Sequence, residues 1–184
     1  MLRQLAFCPR IPWYALVLGL PAHPPPWTEQ GLLAHDRRRD LLRRRSFIRL
    51  GLDNPRLHFA CIMRSEGLEL HGQADLVIEL DAEVIVAEFK TTPGPPRRGH
   101  QLQLTGYGML ARHHFGKPCV RCLLIYEPRN KIIPLPLDRR RVRQAVAAIR
   151  SIRTLLTSPT LPDSPASVAQ CQQCEYLNAC NDRY

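Results

Sequence analysis

The chain predicts an α/β fold built as one domain, with a sheet at its centre and helices around it. Three observations carry this. A β-rich stretch runs from about Leu57 to Lys90, helical periodicity flanks it on both sides, and a helix–strand–helix order follows it. At 184 residues the chain has the size of a single domain with a core large enough to stand alone.

The elements follow from the punctuation. Residues 1–20 carry Cys8 and the short apolar run Ala15-Leu16-Val17-Leu18-Gly19-Leu20. Pro21 and Pro24-Pro25-Pro26 break that run, and Thr28 is placed to cap a helix over about Glu29 to Arg45, with Leu32, Leu33, Leu41 and Leu42 as its apolar contacts. After the β stretch, Pro93-Gly94-Pro95-Pro96 marks a loop. A second helix is expected over about Gly99 to His114, then a strand over Cys119 to Tyr126. A third helix starts behind Asp138, with Val142, Val146, Ile149, Ile152 and Leu156 on one face. Thr157 to Ala166 is a Pro/Ser-rich link to a cysteine-bearing tail.

Charge narrows the class of partner. The formal net charge is +10, and of 26 basic residues only Lys90, Lys117 and Lys131 are lysines. Arginine grips phosphate as a planar fork, so this balance points to nucleic acid rather than to a membrane. The apolar run at 15–20 is far too short to span a bilayer and follows no cationic leader. A cytoplasmic protein with reduced thiols is expected. Arg37-Arg38-Arg39, Arg43-Arg44-Arg45 and Arg139-Arg140-Arg141 read as solvated faces, whereas Arg97-Arg98, between the β stretch and the second helix, is placed to contact nucleic acid.

Four of the seven cysteines form a pattern. Cys171, Cys174 and Cys180 make C-x2-C-x5-C at the end of the chain, and Cys8 supplies a fourth thiolate from the other end. Such a set suits an iron–sulfur cluster or a structural zinc. Cys119-Val120-Arg121-Cys122 imitates a metal or redox pair, but in a strand residues three apart face opposite sides, so these two are expected as core cysteines with diverging sulfurs. Cys61 is left over.

The chemistry concentrates in the β centre. Ala74 to Leu80 and Glu83 to Lys90 are strand-like runs around Asp81-Ala82. A two-residue turn pairs Leu80 with Glu83, and counting outward sets Asp75 opposite Glu88 on one face. Two carboxylates so placed repel, and a divalent ion such as Mg²⁺ or Mn²⁺ relieves that repulsion. Lys90, two residues beyond Glu88, shares the face. A metal that lowers the pKa of a water, beside a lysine that steadies developing charge, is a rationale for phosphodiester hydrolysis.

Gly72-Gln73-Ala74-Asp75, Glu88-Phe89-Lys90 and Gln103-Leu104-Thr105-Gly106-Tyr107 resemble, in order, the G-x-x-D, E-x-K and Q-x-x-x-Y motifs of RecB-like nucleases of the PD-(D/E)XK superfamily. With Phe7-Cys8-Pro9-Arg10 and the cysteine triplet, the chain resembles the CRISPR-associated protein four family of iron–sulfur exonucleases. The resemblance implies a restriction-endonuclease-like core, a mixed sheet flanked by helices, over 27–157. Residues 1–26 and 158–184 would form a lobe around a [4Fe–4S] cluster held by Cys8, Cys171, Cys174 and Cys180. His35, Asp75, Glu88 and the Phe89 carbonyl would hold Mn²⁺ or Mg²⁺, Lys90 would be the catalytic lysine, and Gln103 and Tyr107 would orient DNA or that lysine. The implied substrate is single-stranded DNA or an overhang, and the implied partner is the CRISPR integrase complex, with no membrane. A RecB-like repair nuclease with a helicase, or an idle cluster-stabilised DNA-binding subunit, are the alternatives. Whether the chain forms a homo-oligomer is left open.

Overall fold

The computed structural model describes residues 1–23, 52, 54–90, 94–126 and 131–181. The expected helix over 29–45, with His35 and its arginine clusters, lies outside the described residues.

The two short N-terminal helices are α1 (Leu2–Phe7) and α2 (Arg10–Leu16). Then come β1 (Arg56–Ser65), β2 (Leu70–Glu79) and β3 (Val84–Lys90), helix α3 (Arg98–Phe115), β4 (Arg121–Tyr126) and β5 (Lys131–Pro136). Helix α4 (Arg139–Thr157) precedes two single-turn helices, α5 (Val168–Cys171) and α6 (Leu177–Cys180). The strands form one sheet in the order β1-β2-β3-β4-β5. Every neighbouring pair is antiparallel except β3 with β4, which α3 joins as a crossover. The sheet is therefore mixed, as expected.

The hairpin register matches the count from the turn. Glu79 pairs with Val84 and Leu76 with Ala87, and the Leu80 amide donates to the Glu83 carbonyl at 2.9 Å across Asp81-Ala82. β3 is apolar on both faces because both are covered. Val84 and Val86 join Leu104, Leu110 and Ala111 of α3 in one core cluster. Ile85, Ala87 and Phe89 pack with Leu76, Ile78, Leu123, Ile125 and Leu52 on the other side.

Helix α4 is capped by Asp138, whose carboxylate accepts the Arg141 amide at 2.8 Å. Its apolar stripe packs through Val142, Ala145, Val146, Ala148, Ile149 and Ile152 against Leu2 of α1 and Leu102 and Met109 of α3. Leu156, expected on that face, is instead 48% exposed. A Cβ on Gly106 would lie 2.6 Å from Leu2 Cδ1, so the bare glycine is what lets α1 sit down on α3.

Two expectations about the β4 cysteines part company. Cys119 and Cys122 are both core residues, at 3% and 1% exposure. Their sulfurs do not diverge, because Cys119 precedes the strand, where face alternation does not hold; both thiols enter the cluster under α3, Cys119 Sγ donating to the Arg121 carbonyl and Cys122 Sγ to the Leu104 carbonyl, each at 3.4 Å. Among the described residues no helix is long and apolar enough to cross a membrane.

Candidate active site

Asp75, Glu88 and Lys90 come together at the end of the β2–β3 hairpin. The ladder's last pair is Leu76 with Ala87, and Asp75 and Glu88 are the next residues out on the two strands. Asp75 Oδ2 accepts the Phe89 amide at 2.9 Å, which fixes its carboxylate beside β3. Glu88 is 6% exposed, and its Oε1 accepts from Lys90 Nζ at 2.9 Å. Its Oε2 is buried with no partner. Burial, with the Asp75 charge adding to it, pushes the Glu88 carboxyl up to about 7, against the downward pull of Lys90.

The second wall is α3. Gln103 Nε2 donates to Tyr107 Oη at 3.3 Å, one helical turn on, and Gln103 Oε1 is buried without a partner. Burial raises the Tyr107 phenol, and Glu88 and Asp75 push it the same way, so the ring belongs to the carboxylate centre. Gly72 is needed there: a Cβ would stand 2.7 Å from Tyr107 Cε1. The G-x-x-D and Q-x-x-x-Y motifs thus meet through a glycine–tyrosine contact. Phe89 buries its ring on the opposite face of the sheet. His35 lies outside the described residues.

Two residues that the motifs did not single out join this centre. His100 lies on the same helical stripe as Gln103 and Tyr107, three residues before the first of them. Burial first, then Lys90, Arg3 and Arg97, lowers its pKa to about 4, so the ring is neutral at physiological pH, with a buried, unpartnered Nδ1. Its spacing was the available signal. Arg3 bears electrostatically on Glu88, His100 and Tyr107. No local pattern marks Arg3, because α1 reaches α3 only through the tertiary fold. Arg3, His100, Arg97 and Arg98 line a cleft of about 450 Å³, with Glu175 as its acidic member.

The cysteines of the two ends meet as well. Cys8, Cys171, Cys174 and Cys180 line one small, largely apolar cavity. The cluster of Ile11, Trp13, Tyr14, Ala166 and Tyr176 holds it, with the rings of Tyr14 and Tyr176 stacked at 5.6 Å. Arg10 donates through Nη1 to Cys180 Sγ at 3.3 Å while its Nε holds the Pro162 carbonyl at 2.8 Å. Burial pushes the Cys174 thiol up, and Cys8 and Cys180 beside it act in the same direction. Among the described residues no three His, Cys, Asp or Glu side chains form a ready-made metal cage. The all-sulfur donor set nonetheless fits a thiolate-bound metal group.

A mixed sheet presenting an aspartate, a glutamate and a lysine at the end of one hairpin defines a class, and the comparisons name it. Residues 26–181 match the family model of the PD-(D/E)XK nuclease superfamily. The CRISPR-associated exonuclease Cas4 of Francisella tularensis subsp. novicida (strain U112) is 40% identical over 183 residues, covering 100% of this chain and 92% of that protein. The chain belongs to the PD-(D/E)XK nuclease superfamily and, within it, to the Cas4 family. The crystal structure of SSO0001 matches with a TM-score of 0.54 and 21% identity, over 86% of this chain and 72% of that one, a likeness of the fold alone. PD-(D/E)XK nucleases use divalent metals. The paired carboxylates, with one buried Glu88 oxygen left unpartnered, fit such an ion.

Proposed function

We propose that the protein is a metal-dependent DNA nuclease that trims single-stranded ends or overhangs and hands the fragments to the CRISPR integrase. The observation that carries this is Glu88, buried against Asp75 with one oxygen paired to Lys90 and the other unpartnered. Burial and the Asp75 charge both work against an ionised Glu88, Lys90 meets only one of its oxygens, and a divalent cation would offset the rest. Its full-length likeness to an exonuclease supports the same activity.

In this reading Asp75 and Glu88, with His35 and the Phe89 carbonyl, hold Mn²⁺ or Mg²⁺. When bound, the ion neutralises phosphoryl oxygens and acidifies a water. Asp75 is pre-set for its role by the Phe89 amide. Lys90 steadies negative charge as the phosphorus–oxygen bond breaks. Gln103 and Tyr107 align the strand and Lys90. Arg97 and Arg98 take backbone phosphates in the cleft they share with Arg3. Cys8, Cys171, Cys174 and Cys180 hold a [4Fe–4S] cluster, so that 1–26 and 158–184 form one lobe against the 27–157 core.

The substrate form is tested with an end-labelled duplex that carries a single-stranded overhang, incubated with Mn²⁺. Products should shorten only to the edge of the duplex. Equal degradation of blunt duplex would reject the single-strand preference.

A further inference from the structure

Three of the eight large apolar side chains exposed among the described residues gather in one place. Met1, Leu16 and Leu156 are 46%, 44% and 48% exposed, and none belongs to a core cluster. All three line one groove of about 550 Å³, which runs between α1 and α4 to Gln103 and Tyr107. Its lining is mixed, with Arg3, His71 and the Glu69–Arg153 ion pair beside the apolar side chains, and a recess of this size with an apolar stretch suits a ligand that has both an apolar body and a polar edge.

We propose that this groove seats an unpaired nucleobase of the strand being cut, and so selects single strands over duplex. The inference rests on the nuclease reading above. An unpaired base offers flat faces and an unused hydrogen-bonding edge, whereas a paired base keeps both inside the duplex. The groove matches that two-sidedness: Leu16, Ile152 and Leu156 supply apolar contact, and Gln103 and Tyr107 add polar side chains to the same lining. Arg3 and Gln4 line both this groove and the basic cleft of Arg97 and Arg98. The N-terminal helix therefore borders two recesses, one richer in apolar side chains and one richer in cations. A single strand has the same division between bases and phosphates.

The test is equilibrium binding of fluorescent single-stranded oligonucleotides in EDTA, read by anisotropy, with cleavage in Mn²⁺ measured beside it. An abasic site is moved along the oligonucleotide, and wild type is compared with the double variant Leu16→Ser, Leu156→Ser. Both leucines are exposed and outside the core, and visible absorption and melting temperature check that the variant is folded. One abasic position should weaken wild-type binding by about tenfold, the order expected for removing one seated base. The double variant should bind intact DNA more weakly by a similar factor and lose its sensitivity to that position, because the two changes remove one interaction. Abasic DNA bound like intact DNA at every position, or a variant that keeps its abasic sensitivity, overturns the proposal. A variant that changes only the mass of the protein in solution also overturns it, and makes the groove a contact between copies. Base-sensitive binding without cleavage would leave the groove standing and reject the nuclease reading instead.

Discussion

Glu88 concentrates the electrostatics of the site in one side chain. Its folded pKa, raised to about 7 by burial and Asp75, means that the fold prefers the protonated acid. That contribution is complete below the ordinary carboxylate range and is lost as pH rises through about 7. Metal-free protein should therefore lose several degrees of melting temperature between pH 5 and pH 8, by this group's share alone. Glu88→Gln should flatten that part of the slope, as thermal scans on chelated protein would show. Added Mn²⁺ should reverse the trend in wild type, because metal and proton compete for one carboxylate. An unchanged slope in Glu88→Gln would mean that Glu88 is not the titrating group. The hairpin register that brings Asp75 and Glu88 to the same end was legible from sequence because a two-residue turn fixes every pair behind it. The paired state of Lys90 was not, since no spacing says which neighbour a long side chain chooses.

At the scale of elements, the catalytic geometry depends on how α3 lies against the hairpin. Gly72→Ala would put a methyl group 2.7 Å from Tyr107 Cε1, and the ring must move. The expected result is a fall in kcat of about tenfold with little change in melting temperature, because displaced positioning groups cost rate before they cost fold. Wild-type kcat in Gly72→Ala would show that the ring position is immaterial. The start of the same helix carries Arg97 and Arg98. Replacing both with Ala should weaken binding alike for all sequences. The slope of log K against log salt should become shallower by about 0.7 for each single-strand phosphate no longer neutralised. An unaltered slope would reduce the pair to a solvated charge run. Helix α3 was legible because Gln103 and Tyr107 share a face with its apolar residues. Leu156 keeps the spacing of its stripe yet stays exposed, because periodicity marks the face of a helix and not how far along it the neighbours extend. Cys119 was misjudged because strand alternation was carried two residues past the strand.

Across the whole molecule, the cysteine cavity is lined by side chains from both ends of the chain, within residues 7–14 and 164–180. Protein purified without oxygen should be brown and contain iron and acid-labile sulfide. Cys8→Ala and Cys171→Ala should each lose colour and solubility together. Cys119→Ala should keep the colour, because its thiol lies in the core under α3. Stoichiometric zinc without sulfide would replace the cluster with a structural zinc site. The convergence of four thiols was readable from composition and spacing. The approach of Arg3 to the carboxylates was not, because it arises from docking α1 on Gly106, a contact between residues far apart in the chain.

The most direct test of the whole is degradation of end-labelled single-stranded DNA in Mn²⁺ by wild type and Asp75→Asn, each with its visible spectrum recorded. Wild type should shorten the DNA, lose the activity in EDTA and regain it with fresh Mn²⁺. Asp75→Asn should bind DNA and keep its spectrum, yet leave the DNA intact. Wild-type turnover in Asp75→Asn would contradict a carboxylate-held metal at this hairpin as the seat of the chemistry.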